Sequence, residues 1–139
     1  MLIVGTKYGT ESLDRLWFAA FNISMTLNSV IFHTSRLAEI REFYEEKLLL
    51  QTGTYVRENK TVPDYSDSYV NYHLGGTLLC FEAEAGRTDI GTIVLNVPDF
   101  LNYRKLVEAA GVKIVEGKDT YFKVKDPEGR SIIVEPIRN

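Results

Sequence analysis

A short segment of this chain occurs twice with nearly the same pattern. Residues 29–43 read SVIFHTSRLAEIREF, residues 92–106 read TIVLNVPDFLNYRKL, and the two align without a gap. Each copy begins with an apolar run that suits a strand and continues with apolar residues at helical spacing. Duplicated units pack about a pseudo-twofold axis, and the seam between them is where ligand cavities tend to form. The repeat therefore predicts two similar halves around a cavity.

Composition narrows the class of protein. The 139 residues suit one domain, and the hydrophobic fraction of 45% and charged fraction of 25% are those of soluble globular proteins. A net charge of −3 gives no general attraction to nucleic acid or to anionic membranes. The single cysteine, Cys80, excludes an internal disulfide and fits a reducing compartment. With no bilayer-spanning apolar stretch and no secretory signal pattern, we expect a cytoplasmic protein with no membrane or nucleic-acid partner.

The segment before the repeat has a pattern of its own. Residues 12–21 read SLDRLWFAAF, with apolar residues at positions 13, 16, 17, 20 and 21 and Ser12 as a candidate N-cap. This spacing predicts a short amphipathic helix within an N-terminal extension, residues 1–28. We expect the helix to pack on the rest of the domain or on a second subunit.

Residues 29–139 are predicted to form a single domain of two modules, residues 29–84 and residues 91–139. Each module has the order strand, helix and three strands. The predicted strands are residues 30–34, 51–57, 69–74, 77–83, 93–97, 112–115, 121–125 and 131–136, and the predicted helices are residues 37–48 and 99–110. Residues 58–68, ENKTVPDYSDS, are polar and turn-rich, which predicts a mobile loop.

Four local features carry a resemblance to a known family. They are the helix entry into Phe43-Tyr44, the Val97-Pro98-Asp99 step, the Ala110-Gly111 helix end, and Asp126-Pro127-Glu128-Gly129 before a terminal apolar strand. Their order and spacing resemble the vicinal oxygen chelate superfamily, which includes glyoxalase I, extradiol dioxygenases, fosfomycin-resistance thiol transferases and bleomycin-resistance proteins. The resemblance implies an α+β fold in which paired βαβββ modules form a curved mixed sheet around a cavity. It also implies a homodimer, because relatives commonly pair their edge strands across subunits.

The resemblance bears on metal binding as well. Metal-dependent relatives place His, Gln or Glu ligands on four strands, and the matching positions here are Ser29, Cys80, Thr92 and Ile133. These residue types do not make a site for Zn, Ni, Mn or Fe. The resemblance therefore implies that the family's usual metal is absent, and we expect no cofactor.

A second tier of polar residues follows these positions. Strand alternation places His33, Glu82, Asn96 and Glu135 on the face of the strands away from the helices, two or four residues beyond the family's ligand positions. The repeat matches His33 with Asn96 and Glu82 with Glu135, which predicts that the four ring one centre. Three interpretations stay open: solvated rim groups, polar anchors for a ligand, or a displaced metal or acid–base site.

The leading hypothesis is a metal-independent binder of a small organic, partly apolar molecule. Its predicted ligand-binding residues are His33, Glu82, Asn96, Glu135, Ser29, Cys80, Thr92 and Ile133. The alternative is a divalent-metal-dependent lyase, isomerase or dioxygenase that uses the displaced tier. A third hypothesis is a dimerising or regulatory scaffold with a filled cavity. The sequence assigns no catalytic residue and does not decide whether the protein is an enzyme.

Overall fold

The computed structural model describes residues 25–138, so the helix predicted at residues 12–21 lies outside the described residues. Within residues 25–138 the elements are β1 Ser29–Thr34, α1 Leu37–Arg41 with a π-helical turn Glu42–Lys47, β2 Thr54–Arg57, β3 Lys60–Pro63, β4 Tyr69–Leu74, β5 Thr77–Ala83, β6 Thr92–Val97, α2 Phe100–Ala109, β7 Glu116–Lys118, β8 Tyr121–Lys125 and β9 Ser131–Pro136. No helix in this part of the chain is long and apolar enough to cross a bilayer.

The strands form two mixed sheets and a separate hairpin. The first sheet has the order β1-β5-β4, the second has the order β6-β9-β8-β7, and β2 pairs with β3 alone. Within residues 25–138, the first strand of each sheet lies at an edge and runs parallel to the last strand of its half, β1 with β5 and β6 with β9. Mixed sheets with few helices confirm the predicted α+β class.

The core lies where the helix-covered faces of both sheets meet. Side chains from α1 and its π-helical turn, such as Ile40 and Tyr44, belong to the same buried cluster as residues of both sheets. Alternate apolar positions of these strands are buried at Leu79, Phe81, Ile93, Leu95, Ile132 and Val134. Val30 differs, because it lies on the free edge of β1 and remains 38% exposed. Alternation thus separates a core face from an outer face in each sheet.

One predicted strand of the second half is displaced. Residues 112–115 were expected to form a strand, but the strand there is β7, Glu116–Lys118. Gly111 ends α2 in the left-handed region at φ 89, and Val112 and Ile114 then pack against the core. The pairing of this segment with β8 starts at Val115, whose N–H donates to the carbonyl of Lys123. The apolar residues here fill the core and do not join a strand ladder.

The prediction of a mobile loop at residues 58–68 is wrong in part. Residues 60–63 form β3, which pairs with β2 in an antiparallel hairpin. Glu58 and Asn59 connect the two strands with φ of 52° and 63°, the conformation of a type I′ two-residue turn. The predicted strand at 51–57 is correspondingly shorter, since β2 begins at Thr54 and Thr52 makes only an isolated bridge to Tyr72.

The first helix ends in an unusual backbone conformation. Leu50 N–H donates to the carbonyl of Tyr44, 2.8 Å away, and Leu48 N–H donates to the carbonyl of Phe43. Leu49 between them has φ 62, the left-handed conformation that helix ends usually assign to glycine. The consequence is that Leu48 is fully buried while Leu49 is 46% exposed.

Candidate functional site

A buried ion pair joins the two halves of the molecule. The Arg130 guanidinium donates to Asp126 Oδ2 at 3.1 Å, to Glu128 Oε1 at 2.8 Å and to the carbonyl of His33 at 2.9 Å. Tyr44 of the π-helical turn donates to Asp126 Oδ2 at 2.7 Å. Burial, and then the Asp126 charge, raise the pKa of Tyr44. Burial lowers the pKa of Arg130, but hydrogen bonds to Glu128 and Asp126 outweigh it and leave that pKa raised.

This network was not predicted from the sequence, which indicated only a turn at residues 126–129. Arg130 is fully buried, and its Nε has no partner among the described residues. Its guanidinium carbon lies 5.4 Å and 5.2 Å from the ring centres of Phe32 and Phe81, where the ring faces partly replace solvent. The sequence offered one sign that Arg130 is buried, which is its position directly before the largely apolar strand β9.

A second polar cluster surrounds His33 on the outer face of the first sheet. His33 Nδ1 lies 2.7 Å from Asp89 Oδ2, and its Nε2 lies 3.4 Å from Glu82 Oε2. The His33 backbone N–H also donates to Asp89 Oδ2 at 2.8 Å, and Arg87 Nε donates to Asp89 Oδ1 at 3.2 Å. Hydrogen bonds from His33, and then from Arg87, lower the pKa of Asp89 to about 2. His33 is thus held between two carboxylates, of which only Glu82 was predicted.

A third cluster attaches the β2–β3 hairpin to the same face. Asp64, which follows β3, accepts hydrogen bonds from Tyr69 Oη at 3.3 Å, Asn71 Nδ2 at 3.1 Å and His73 Nε2 at 2.7 Å. These three partners are alternate residues of β4 and lie on the same face of that strand, so one carboxylate contacts the strand along most of its length. The His73 ring packs directly against Gly53, where a Cβ would collide with it. His73 is therefore held between Asp64 and Gly53.

Cys80 lies beside this cluster and is 6% exposed. Burial, and then the negative charges of Glu82 and Asp64, raise the pKa of its thiol to about 11. The thiol is therefore protonated at neutral pH, and a protonated thiol is a poor nucleophile and a poor metal ligand.

The remaining predicted residues lie on the strands where they were expected. Asn96 and Glu135 are register partners on β6 and β9, as His33 and Glu82 are on β1 and β5. In the part of the chain that the structure describes, no hydrogen bond or ion pair joins these two pairs. The cation nearest to Glu135 is Arg138, at 3.8 Å. Among the described residues His33 meets Glu82, and the ring of four remains a prediction.

The described residues do not offer the donor groups of a metal site. Among residues 25–138, no cluster of three or more His, Cys, Asp or Glu side chains is arranged to hold a metal ion. The family's ligand positions carry Ser29, Cys80, Thr92 and Ile133, as the sequence showed. Metal-independent function remains a prediction about the protein in solution.

A cavity of about 770 Å³ lies between the two halves, along the free edge of β6. Its lining residues are uncharged: Val30, Phe32, Leu48, Leu49, Leu50, Gln51, Leu74, Gly75, Thr77, Leu78, Leu79, Thr92, Ile93, Val94, Leu95, Asn96, Val97, Pro98, Tyr103 and Ile137. Of the eight predicted ligand-binding residues, only Thr92 and Asn96 line it. The prediction placed the cavity on the outer face of the strands. The cavity instead follows a strand edge, so residues of both faces of β6 border it.

The sequence was compared with known proteins. No protein-family model and no curated protein matches it. Solved structures do match. The YycE protein of unknown function from Bacillus subtilis has 21% identity and a TM-score of 0.58, over 81% of this chain and 90% of that chain. A glyoxalase/bleomycin resistance protein from Catenulispora acidiphila has 16% identity and a TM-score of 0.61, over 81% and 100%.

A third similar structure is a glyoxalase-related enzyme from Fulvimarina pelagi, with 14% identity and a TM-score of 0.58, over 81% of this chain and 88% of that chain. Identities this low establish the architecture and leave the activity open. The fold of this chain is that of the glyoxalase/bleomycin-resistance proteins, which confirms the resemblance carried by its sequence.

Proposed function

We propose that the protein binds a small, partly apolar organic molecule in the cavity along β6, without a metal or other cofactor. One observation carries this proposal: the cavity has a volume of about 770 Å³ and no charged residue in its lining. Ligand sites in proteins are typically apolar concavities of about 300–1,000 Å³ with a few polar groups that fix orientation. Here Gln51, Thr77, Thr92 and Asn96 are the polar side chains of the wall.

The lining also indicates the chemistry of the ligand. Apolar walls stabilise an apolar ligand by about 25 cal/mol for each Å² removed from water. A charged ligand would lose hydration without meeting an opposite charge, which is unfavourable. Among the described strands β6 has a neighbour on one side only, so its other edge offers backbone N–H and C=O groups to the cavity. We therefore expect an uncharged molecule that carries a few hydrogen-bonding groups.

A homodimer is part of the proposal. β7 lies at the edge of the second sheet opposite the cavity-lining strand β6, and an exposed edge strand favours pairing with another strand. Light scattering on a sizing column should give twice the mass of the chain at micromolar concentration, and a monomer would contradict it. The free thiol of Cys80 fits a reducing compartment, so we also propose a cytoplasmic location.

A separate proposal concerns the predicted ligand-binding residues that lie outside the cavity. His33, Glu82, Glu135, Ser29, Cys80 and Ile133 do not line the cavity. Their predicted role as ligand contacts concerns the outer faces of the sheets. Glu82→Gln and Glu135→Gln should then alter ligand binding while leaving folding nearly intact. No observation in the described residues favours the alternative of a metal-dependent enzyme, so that alternative is not proposed.

Binding of Nile red, an uncharged apolar dye, tests the cavity. The full chain should increase the dye's fluorescence saturably, at one dye per chain. Val97→Trp, which fills the cavity wall, should abolish the increase. Val56→Trp makes the same change at a 71% exposed position of the β2–β3 hairpin and should bind the dye normally. Asn96→Ala should weaken the binding free energy by about 0.5–1.5 kcal/mol. Equal binding by Val97→Trp and the unmodified chain would refute the proposal.

A further inference from the structure

We propose that the protein has a second binding site, separate from the cavity along β6, which takes a small organic phosphate. The site is a pocket of about 330 Å³ between the end of the first helix and the loop that follows α2. We call it the lysine pocket, after Lys47, Lys113 and Lys125 in its lining. No residue of this lining belongs to the lining of the cavity along β6, so the inference does not depend on the proposed function.

The three lysines come from distant parts of the chain. Lys47 ends the π-helical turn, Lys113 follows α2, and Lys125 ends β8. Among residues 25–138, the only lysine held in an ion pair is Lys123, 3.6 Å from Glu116. A concave surface lined by charges of one sign concentrates their field and attracts ions of the opposite sign. The lysine pocket therefore favours an anion, although the chain as a whole carries a net charge of −3.

The acidic residue of this lining, Asp126, does not neutralise the lysines. Its Oδ1 accepts the backbone N–H groups of Glu128 at 2.8 Å and of Arg130 at 3.0 Å. Its Oδ2 accepts the Tyr44 hydroxyl at 2.7 Å and the Arg130 guanidinium at 3.1 Å. A carboxylate has about four lone-pair sites, and these hydrogen bonds occupy all of them. The charge of Asp126 thus belongs to the buried ion pair, and the lysines keep theirs for a ligand.

Surface lysines often serve only the local structure, and that explanation covers one of the three. Lys47 lies in the last turn of its helix, where a cation is stabilising without any ligand. Lys113 lies outside the helices and strands, and Lys125 donates to an uncharged group, Ser131 Oγ, at 2.8 Å. Like charges around one small pocket repel each other, and a bound anion removes that repulsion.

The other features of the pocket indicate the class of anion. Its volume is at the lower end of the roughly 300–1,000 Å³ of small-molecule sites. A phosphate monoester carries about −1.5 to −2 charges at neutral pH, so it meets several lysines better than a singly charged carboxylate does. Phe43 and the 46% exposed Val115 add apolar surface for the organic group. A phosphate with an apolar substituent therefore fits better than inorganic phosphate.

Phenyl phosphate is a suitable probe, with thermal unfolding and titration calorimetry as the measurements. The lysine pocket takes residues from both halves of the molecule, so a bound ligand stabilises the folded chain and raises Tm with concentration. Calorimetry should give one phenyl phosphate per chain, with weaker binding at higher salt. Inorganic phosphate and benzoate should each bind more weakly than phenyl phosphate.

Variants of the lysines locate the site. Lys113→Met and Lys125→Met should each weaken phenyl phosphate binding by about two- to five-fold, and the double variant should weaken it further. Lys60→Met is the matched control, because Lys60 lies on the exposed β2–β3 hairpin and should leave the binding unchanged. Circular dichroism shows that each variant is folded.

Four results would overturn the proposal. They are the absence of a Tm increase with millimolar phenyl phosphate, equal stabilisation by benzoate, equal weakening by Lys60→Met and Lys113→Met, and loss of phenyl phosphate binding in Val97→Trp. The last would locate the phosphate in the cavity along β6. Phenyl phosphate binding that Val97→Trp leaves unchanged supports the lysine pocket even if Nile red does not bind, so the two proposals fail separately.

Discussion

Two carboxylate networks of the molecule, one around Arg130 and one around His33, differ in burial, and the difference separates their roles. In the inner network, the side chains of Asp126 and Arg130 are both fully buried. In the outer network, the side chains of His33 and Asp89 are 22% and 31% exposed. Both join distant parts of the chain, but only the inner one does so without solvent.

Because it is buried, the inner network should lose much stability when one of its partners is removed. A buried charge that loses its partner keeps its full desolvation cost, whereas an exposed charge is hydrated again. Arg130 also bonds the backbone of β1, so the pair positions the second half against the first. The outer network leaves room for protonation or ligand contact, since water replaces any lost partner. The four predictions below test this contrast in order of expected effect.

Breaking the inner network should have the largest effect. Arg130→Met leaves Asp126 buried and unpaired, so we expect the free energy of unfolding to fall by about 3–5 kcal/mol, measured by urea denaturation. Arg138→Met changes an 86% exposed arginine side chain and should stay within about 0.5 kcal/mol. A loss below about 1 kcal/mol for Arg130→Met would contradict the assignment.

Crowding the outer face should cost less. Gly53→Ala places a Cβ against the His73 ring, which must then move away from Asp64. Overpacking of this kind costs about 1–3 kcal/mol of the free energy of unfolding. Gly76→Ala is the matched control, because a Cβ there meets nothing within 4 Å. Similar unfolding curves for the two variants would show that the Gly53–His73 contact does not constrain the hairpin.

An uncharged hydrogen bond also joins the two halves, and its loss should have a smaller effect on stability. Tyr103 Oη donates to the carbonyl of Leu48 at 2.5 Å, and burial raises the pKa of Tyr103 to about 12. Tyr103→Phe should lower the free energy of unfolding by about 0.5–1.5 kcal/mol. Tyr121→Phe removes an exposed hydroxyl from Glu116 and should cost less. The reverse order in thermal or urea unfolding would refute this ranking.

The outer network should contribute to the dependence of stability on acidic pH. The pKa of Asp89 falls from 3.8 to about 2 on folding, so its contribution to stability is present above the unfolded pKa. That contribution is lost as pH falls from about 4 to about 2. Asp89→Asn should therefore flatten the acid side of the stability curve, measured by urea unfolding at each pH. Parallel curves for the two proteins would contradict the prediction.

Sequence patterns predicted the sheets well and the polar contacts poorly. β4, β5, β8 and β9 have the predicted bounds, because alternating apolar residues between turn residues are a local signal. The partners of Arg130 and Asp89 were missed, since both reach His33 from 97 and 56 residues away in the chain. Local periodicity carries no information about such contacts.

The position of the cavity was likewise not predictable from local sequence patterns. The repeat correctly predicted two similar halves, and Thr92 and Asn96 are the two predicted ligand-binding residues that line the cavity. Its position along the edge of β6 depends on how far apart the two sheets lie. That spacing is set by core side chains such as Leu48 and Tyr103, which no single segment reveals.

The left-handed backbone at Leu49 has a consequence for how this protein can diverge. A non-glycine residue in that conformation costs about 1–2 kcal/mol, so random drift under selection for stability alone would favour glycine at position 49. Glycine would also remove a side chain from the cavity wall. The residue at this position in natural variants therefore distinguishes lineages that kept the cavity in use from lineages in which only the fold was maintained.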